Sequence, residues 1–274
     1  MANAPTRRDT TRSDTTWSDT TWSDTTLEIA GTKIHATRAG KGSPLLVLHH
    51  DIGILDRLPI LDSLAQSFDV IVPHYAGWGK SQRPEWMRSV RDVAVMQRAL
   101  LDKLGLDKVS LLGLGFGGWV AAEMMTMSAR DIAKVVLVGP MGIKPNEGYI
   151  LDQAIISYID YPHAFFHDRK AFEAVYGNVS TDQLEAWDIA REMSFRIAWK
   201  PYMYSQTLPH LLSSVKSPVL IAWGEHDKVV PVSAAQQWKK ALPGAKLEIV
   251  KGAGHAVEME KPVELAKLMT DFLK

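Results

Sequence analysis

The 274-residue chain contains no cysteine, which excludes disulfides, thiolate metal ligands and a cysteine nucleophile. It has no excess of either charge, since 31 Lys and Arg balance 31 Asp and Glu. No net field therefore recruits nucleic acid or an anionic membrane. No apolar run approaches the roughly 18 residues needed to cross a bilayer, and the arginine-bearing N-terminus lacks the apolar core of a secretory signal. These absences predict a soluble, cytoplasmic protein with no nucleic-acid or membrane partner. The length suits one large α/β domain or two small ones.

The first 26 residues form a zone of their own. Arg12-Ser13-Asp14-Thr15-Thr16, Trp17-Ser18-Asp19-Thr20-Thr21 and Trp22-Ser23-Asp24-Thr25-Thr26 repeat a five-residue unit, with a degenerate Arg8-Asp9-Thr10-Thr11 before them. A period of five matches neither helix nor strand, and so polar a segment buries too little apolar area to offset its ordering entropy. Residues 1–26 are expected to be a flexible tail. The alternative is a docking arm whose Trp17 and Trp22 insert into a partner.

After residue 26 the pattern changes. Leu27–Ala30 and Lys33–Arg38 alternate around Gly31, as in an antiparallel hairpin. Continuous apolar runs follow at 45–48, 70–72, 109–112, 135–138, 219–222 and 247–250, the signature of parallel strands covered on both faces. Helical segments separate them; the clearest is 89–104, with Ser89 and Asp92 spaced as a capping box and Gly105 past its end. Such alternation predicts a mostly parallel sheet with helices on both faces. Residues 144–208 interrupt it with helix signals, among them Ser180 and Gln183 in capping spacing, and many aromatic rings.

Residues 109–120 read VSLLGLGFGGWV. A strand, a glycine-framed turn and an apolar helix in succession form the context of the G-x-S-x-G nucleophile elbow, here with Gly115 at the serine position. With this elbow and eight strands, the first two a hairpin, residues 27–274 resemble the α/β-hydrolase fold family. The resemblance implies a core of residues 27–143 and 209–274, with residues 144–208 as a helical cap over the active site. It also implies an acid after the seventh strand, where Ala222-Trp223-Gly224-Glu225-His226-Asp227 matches, and a histidine after the eighth, where Gly252-Ala253-Gly254-His255 matches. Asp227 would then orient His255 as general base. The family's two oxyanion-hole amides map to the backbone of Asp51 and Phe116.

Three departures stand out. Gly115 offers no Oγ, and Ser110, five strand residues away, lies about 16 Å off. A serine acyl-enzyme is thereby excluded, and the space at Gly115 is expected to admit a water or a substrate atom. His50 replaces the customary glycine of the oxyanion loop, and His74 stands where the family usually has Asp. His50, His74 and Trp78 are candidate pocket residues. Convergence of His49, His50, Asp51, His74 and His255 on a metal is an alternative on ligand chemistry, but their spacing fits no helical metal motif, and neither metal nor cofactor is expected. A positioned histidine beside an anion pocket suits water-mediated hydrolysis, or proton abstraction with C–C cleavage, on a small apolar or aromatic carbonyl compound. The alternatives are a ligand-binding pseudo-hydrolase and an ordinary serine hydrolase silenced by a Ser→Gly exchange.

Overall fold

The computed structural model describes residues 20–55, 57–128 and 130–274. Eight strands form one sheet: β1 (Ser23–Ile29), β2 (Thr32–Ala39), β3 (Ser43–Leu48), β4 (Phe68–Pro73), β5 (Val109–Leu114), β6 (Ile132–Val138), β7 (Val219–Gly224) and β8 (Lys246–Val250). Their order across the sheet is β1-β2-β4-β3-β5-β6-β7-β8. β2 runs antiparallel to β1 and β4, and the remaining pairings are parallel. β4, β5 and β7 are buried along their whole length, as continuous apolar runs require. β8 departs from that expectation: it is the edge strand, with Glu248 and Ile249 exposed. Only one of its sides finds a neighbour.

The helices lie between these strands. α1 (Pro59–Ala65) precedes β4, and α2 (Val90–Lys103) starts at Ser89, which closes the expected capping box with Asp92. α3 (Phe116–Met127) is buried over its first ten residues. A Cβ on Gly117 would lie 2.0 Å from the Leu48 carbonyl oxygen, so glycine there lets α3 press onto the end of β3. The 144–208 segment carries α4 (Tyr161–Ala164), α5 (Arg169–Tyr176) and α6 (Thr181–Ala198), and α7 (Leu208–Leu211) starts at its last residue. Ser180 accepts the Gln183 N–H at 3.2 Å, as its spacing predicts. α8 (Ala234–Ala241), α9 (Val257–Glu260) and α10 (Pro262–Leu273) complete the chain.

The tail boundary needs correction. β1 begins at Ser23, inside the last repeat, and pairs Ser23 with Arg38 through Ile29 with Thr32. Trp22 is half-buried on its own chain: its indole N–H donates to Asp62 Oδ1 at 2.7 Å, and the Arg57 guanidinium lies 5.9 Å from its ring centroid. Ladder bonds and these contacts offset an ordering cost that composition alone sets against the segment. Trp17 and the first repeats lie outside the described residues.

Candidate active site

Connections from β3 lead to β4 on one side, and the chain then crosses to β5 on the other. Ligands of open α/β sheets bind outside the carboxyl ends of the strands at such a switch point. His50 and Asp51 follow β3, Gly115 follows β5, Asp227 follows β7 and His255 follows β8, so all five gather at one edge. Gly115 has φ 51° and ψ −108°, a left-handed turn that costs glycine little and that swings the chain sharply from strand into helix.

His255 is fully buried and its Nδ1–H donates to Asp227 Oδ2 at 2.7 Å. The other carboxylate oxygen accepts the N–H groups of Val229 and Val230, each at 2.8 Å. The acid is thus clamped by its own loop, and it fixes the histidine tautomer so that Nε2 faces inward. Burial alone would push the His255 pKa down; the carboxyl groups of Asp227, Asp51 and Glu258 outweigh it and leave the imidazole raised above its ordinary value.

A second pair stands opposite. His50 Nε2 lies 3.0 Å from Glu258 Oε1, and both side chains are sealed from solvent, at 1% and 0% exposure. Its ring centroid is 4.9 Å from that of His255, and Phe165 covers both, at 5.1 and 4.8 Å. A Cβ placed on Gly115 would lie 2.4 Å from His50 Nδ1 and 2.6 Å from His255 Nε2. The space expected at Gly115 is not free for a side chain: a Cβ there would overlap both imidazoles. Neither inward nitrogen has a hydrogen-bond partner, and Asp51 Oδ1 and Glu258 Oε2 are likewise unpartnered. Buried polar atoms are rarely left so.

Asp51 is buried, and its Oδ2 accepts from Gln153 Nε2 at 2.5 Å and from the Tyr161 hydroxyl at 2.9 Å. Burial raises its pKa, which favours the neutral acid over an anion. Phe116 opens α3, where an N–H has no intrahelical acceptor, beside Gly115.

The other expected pocket residues sit further back. The Trp78 indole N–H donates to the Asp51 carbonyl oxygen at 2.7 Å, and its ring stacks on Phe116 at 6.1 Å. Trp78 therefore props the loop after β3 from behind. His74 Nδ1 accepts the Lys80 N–H at 3.0 Å, and His74 lines a separate cavity of about 70 Å³ with His49, Ile52 and Tyr176. His49 bridges backbone groups: its Nδ1 meets the His50 carbonyl oxygen at 2.6 Å, and its Nε2 accepts the Tyr75 N–H at 3.1 Å. Burial pushes its pKa down to about 3, so it stays neutral. Of the five residues weighed as metal ligands, only His50, Asp51 and His255 come together. Among the described residues no group of three or more His, Asp or Glu side chains is disposed to hold a metal ion. Glu258 and Gln153 had no part in the expected site; Glu258 follows the histidine motif by three residues and carried no spacing signal.

The comparisons agree with this architecture. A family model described as "Alpha/beta hydrolase family" matches residues 9–268. A 2-hydroxy-6-oxononadienedioate/2-hydroxy-6-oxononatrienedioate hydrolase of Pseudomonas putida is 25% identical over 265 residues, covering 88% of this chain and 92% of that protein. A like-named hydrolase of Klebsiella pneumoniae is 26% identical over 262 residues, covering 88% and 91%. Among solved structures, 2-hydroxy-6-oxo-6-phenylhexa-2,4-dienoate hydrolase of a Rhodococcus strain superposes with a TM-score of 0.75 at 22% identity, covering 93% of this chain and all of that one. A meta-cleavage product hydrolase of Pseudomonas fluorescens gives 0.75 at 21% identity, covering 91% and 97%. No described helix is long and apolar enough to cross a membrane. With its sheet order, its elbow turn and this match along nearly its whole length, the chain belongs to the alpha/beta hydrolase family.

Proposed function

We propose that this chain is an enzyme that adds water across an ester or an activated C–C bond of a small, uncharged carbonyl compound, without a covalent intermediate. His255 is its acid–base residue, Asp227 orients it, and the backbone N–H groups of Asp51 and Phe116 receive the developing negative oxygen. The observation that carries the reading is at Gly115: the elbow backbone is kept, while His255 Nε2 stands 2.6 Å from where a serine Cβ would be. A ring already in that place can act on water or substrate without a serine relay.

The same geometry speaks against an ordinary serine hydrolase that merely lost its hydroxyl, because the neighbouring His50 fills the serine's volume and has its own buried partner. The relatives' names point to hydrolysis of oxo-dienoates, yet every substrate so named carries at least one carboxylate. Among the described residues no Lys or Arg is buried, while Asp227 and Glu258 face the site. This electrostatic setting favours a substrate with no carboxylate at the reacting end, and the rings of Phe165 and Tyr161 suit an apolar or aromatic one.

Turnover of a p-nitrophenyl ester by the wild-type chain, His255→Ala and Asp227→Asn is the test. Activity in the wild type, lost in His255→Ala and reduced on the order of 10³-fold in Asp227→Asn, is expected. Equal rates in the wild type and His255→Ala would remove His255 from the chemistry.

A further inference from the structure

We propose that His50, held by Glu258, is a second catalytic acid–base residue acting on the same atom as His255, so that two facing histidine–carboxylate dyads share the work. The proposal rests on the catalytic reading of the site above. Its geometry is the convergence at Gly115: His50 Nδ1 and His255 Nε2 flank one point at 2.4 and 2.6 Å, their rings lie 4.9 Å apart, and neither nitrogen has a partner. Each opposite nitrogen faces a carboxylate, at 3.0 Å for His50 and 2.7 Å for His255. Carboxylates only accept, so each ring donates outward and turns its remaining nitrogen inward.

Two neutral rings so disposed present lone pairs to each other. One proton on the pair resolves the conflict, making one ring a donor and the other an acceptor. The groups facing the pair are Asp51 after β3, Asp227 after β7, Glu258 in α9 and Tyr161 in α4, with Phe165 closing the chamber. His255, whose bond to Asp227 is the shorter at 2.7 Å against 3.0 Å for His50 and Glu258, is the ring assigned the shared proton, and His50 is the ring assigned to take a proton from water. With two facing rings, one can take a proton from water while the other gives one to the leaving atom.

The cycle balances. His50 takes one proton from water, and the oxygen bonds to the substrate carbonyl carbon while the carbonyl electron pair moves to its oxygen. Collapse of the tetrahedral adduct breaks the bond to the leaving oxygen or carbon. That atom keeps the electron pair and takes the proton from His255. The pair still holds one proton, now on His50, and direct transfer between the facing rings restores the start.

The full chain is assayed with p-nitrophenyl acetate as wild type, His50→Gln, His50→Ala and Glu258→Gln, each checked for folding by circular dichroism. A loss of kcat on the order of 10²-fold in both His50 variants with KM nearly unchanged, partial rescue of His50→Ala by added imidazole, and a shifted pH profile in Glu258→Gln are expected. Full activity and an unaltered pH profile in both His50 variants, with His255→Ala inactive, would overturn the role of His50 and leave the parent function standing. If the wild type does not turn the ester over, histidine ¹⁵N NMR titration decides. A His50 titration that shifts in His255→Ala supports the shared proton, and one that is unmoved refutes it.

Discussion

Replacing Gly115 by serine would restore the missing hydroxyl, and the structure predicts that it fails. The new Cβ would lie 2.4 Å from His50 Nδ1, whereas ordinary contact begins at 3.4 Å, so the ring must retreat by about 1 Å. It has nowhere to go: Phe165 packs at 5.1 Å, His255 at 4.9 Å, and the far nitrogen is bonded to Glu258, itself 0% exposed. Moving His50 leaves a buried carboxylate unpaired, which costs about 3–5 kcal/mol. The left-handed backbone of residue 115 adds about 1–2 kcal/mol for any residue with a Cβ. The total, about 4–7 kcal/mol, is a large part of a domain's stability of roughly 5–15 kcal/mol and corresponds to a fall of roughly 10–25 °C in Tm. In a His50→Gly background the overlap with His50 disappears, and adding Gly115→Ser costs the backbone strain and the 2.6 Å approach to His255 Nε2, which both backgrounds share. Thermal and urea denaturation of the wild type, both single variants and the double variant give this coupling as a double-mutant cycle of at least about 2 kcal/mol. Additive effects within about 0.5 kcal/mol would refute the reasoning, since they would mean that the imidazoles do not hold the serine's place.

Three further outcomes follow from buried groups. Burial raises the Asp51 pKa, so its protonated form is favoured in the fold, and stability is lost as pH rises past the unfolded value near 3.9. Asp51→Asn should be more stable than the wild type at pH 8, and the gap should close below about pH 4; denaturation midpoints across that range check it. His255 is raised despite burial, by Asp227 first and then by Asp51 and Glu258. The stability it contributes is whole below about pH 6.5 and declines as pH climbs through its higher folded value, so the Tm advantage of the wild type over His255→Gln should shrink between pH 6 and pH 9. Trp22→Phe removes the indole bond to Asp62, a carboxylate 5% exposed, and should cost about 1–3 kcal/mol in urea unfolding; no change would return Trp22 to a solvated tail.

Local patterns were enough for the frame. Apolar runs placed the strands because a strand covered on both faces needs little but side-chain type, and glycines around position 115 marked the elbow because few residues accept its φ. Asp227 and His255 were legible as motifs beside β7 and β8, and their 2.7 Å bond follows from two loops at one sheet edge. Trp22 and Ser23 were not legible, since a polar repeat joins a sheet only when a partner strand and a buried carboxylate await it. His74 read as a pocket residue from its position in a motif, and it lines a cavity with His49, Ile52 and Trp78 while accepting the Lys80 N–H.

By itself, the sequence determined the sheet, the strand–turn–helix around Gly115, and the Asp227 and His255 motifs beside it. Only the tertiary structure decided what fills the place of the missing side chain. His50 and Glu258 are 208 residues apart, and no spacing rule links a loop after β3 to a short helix after β8. They meet because the strand order returns both segments to one edge, and a buried imidazole there must find a carboxylate.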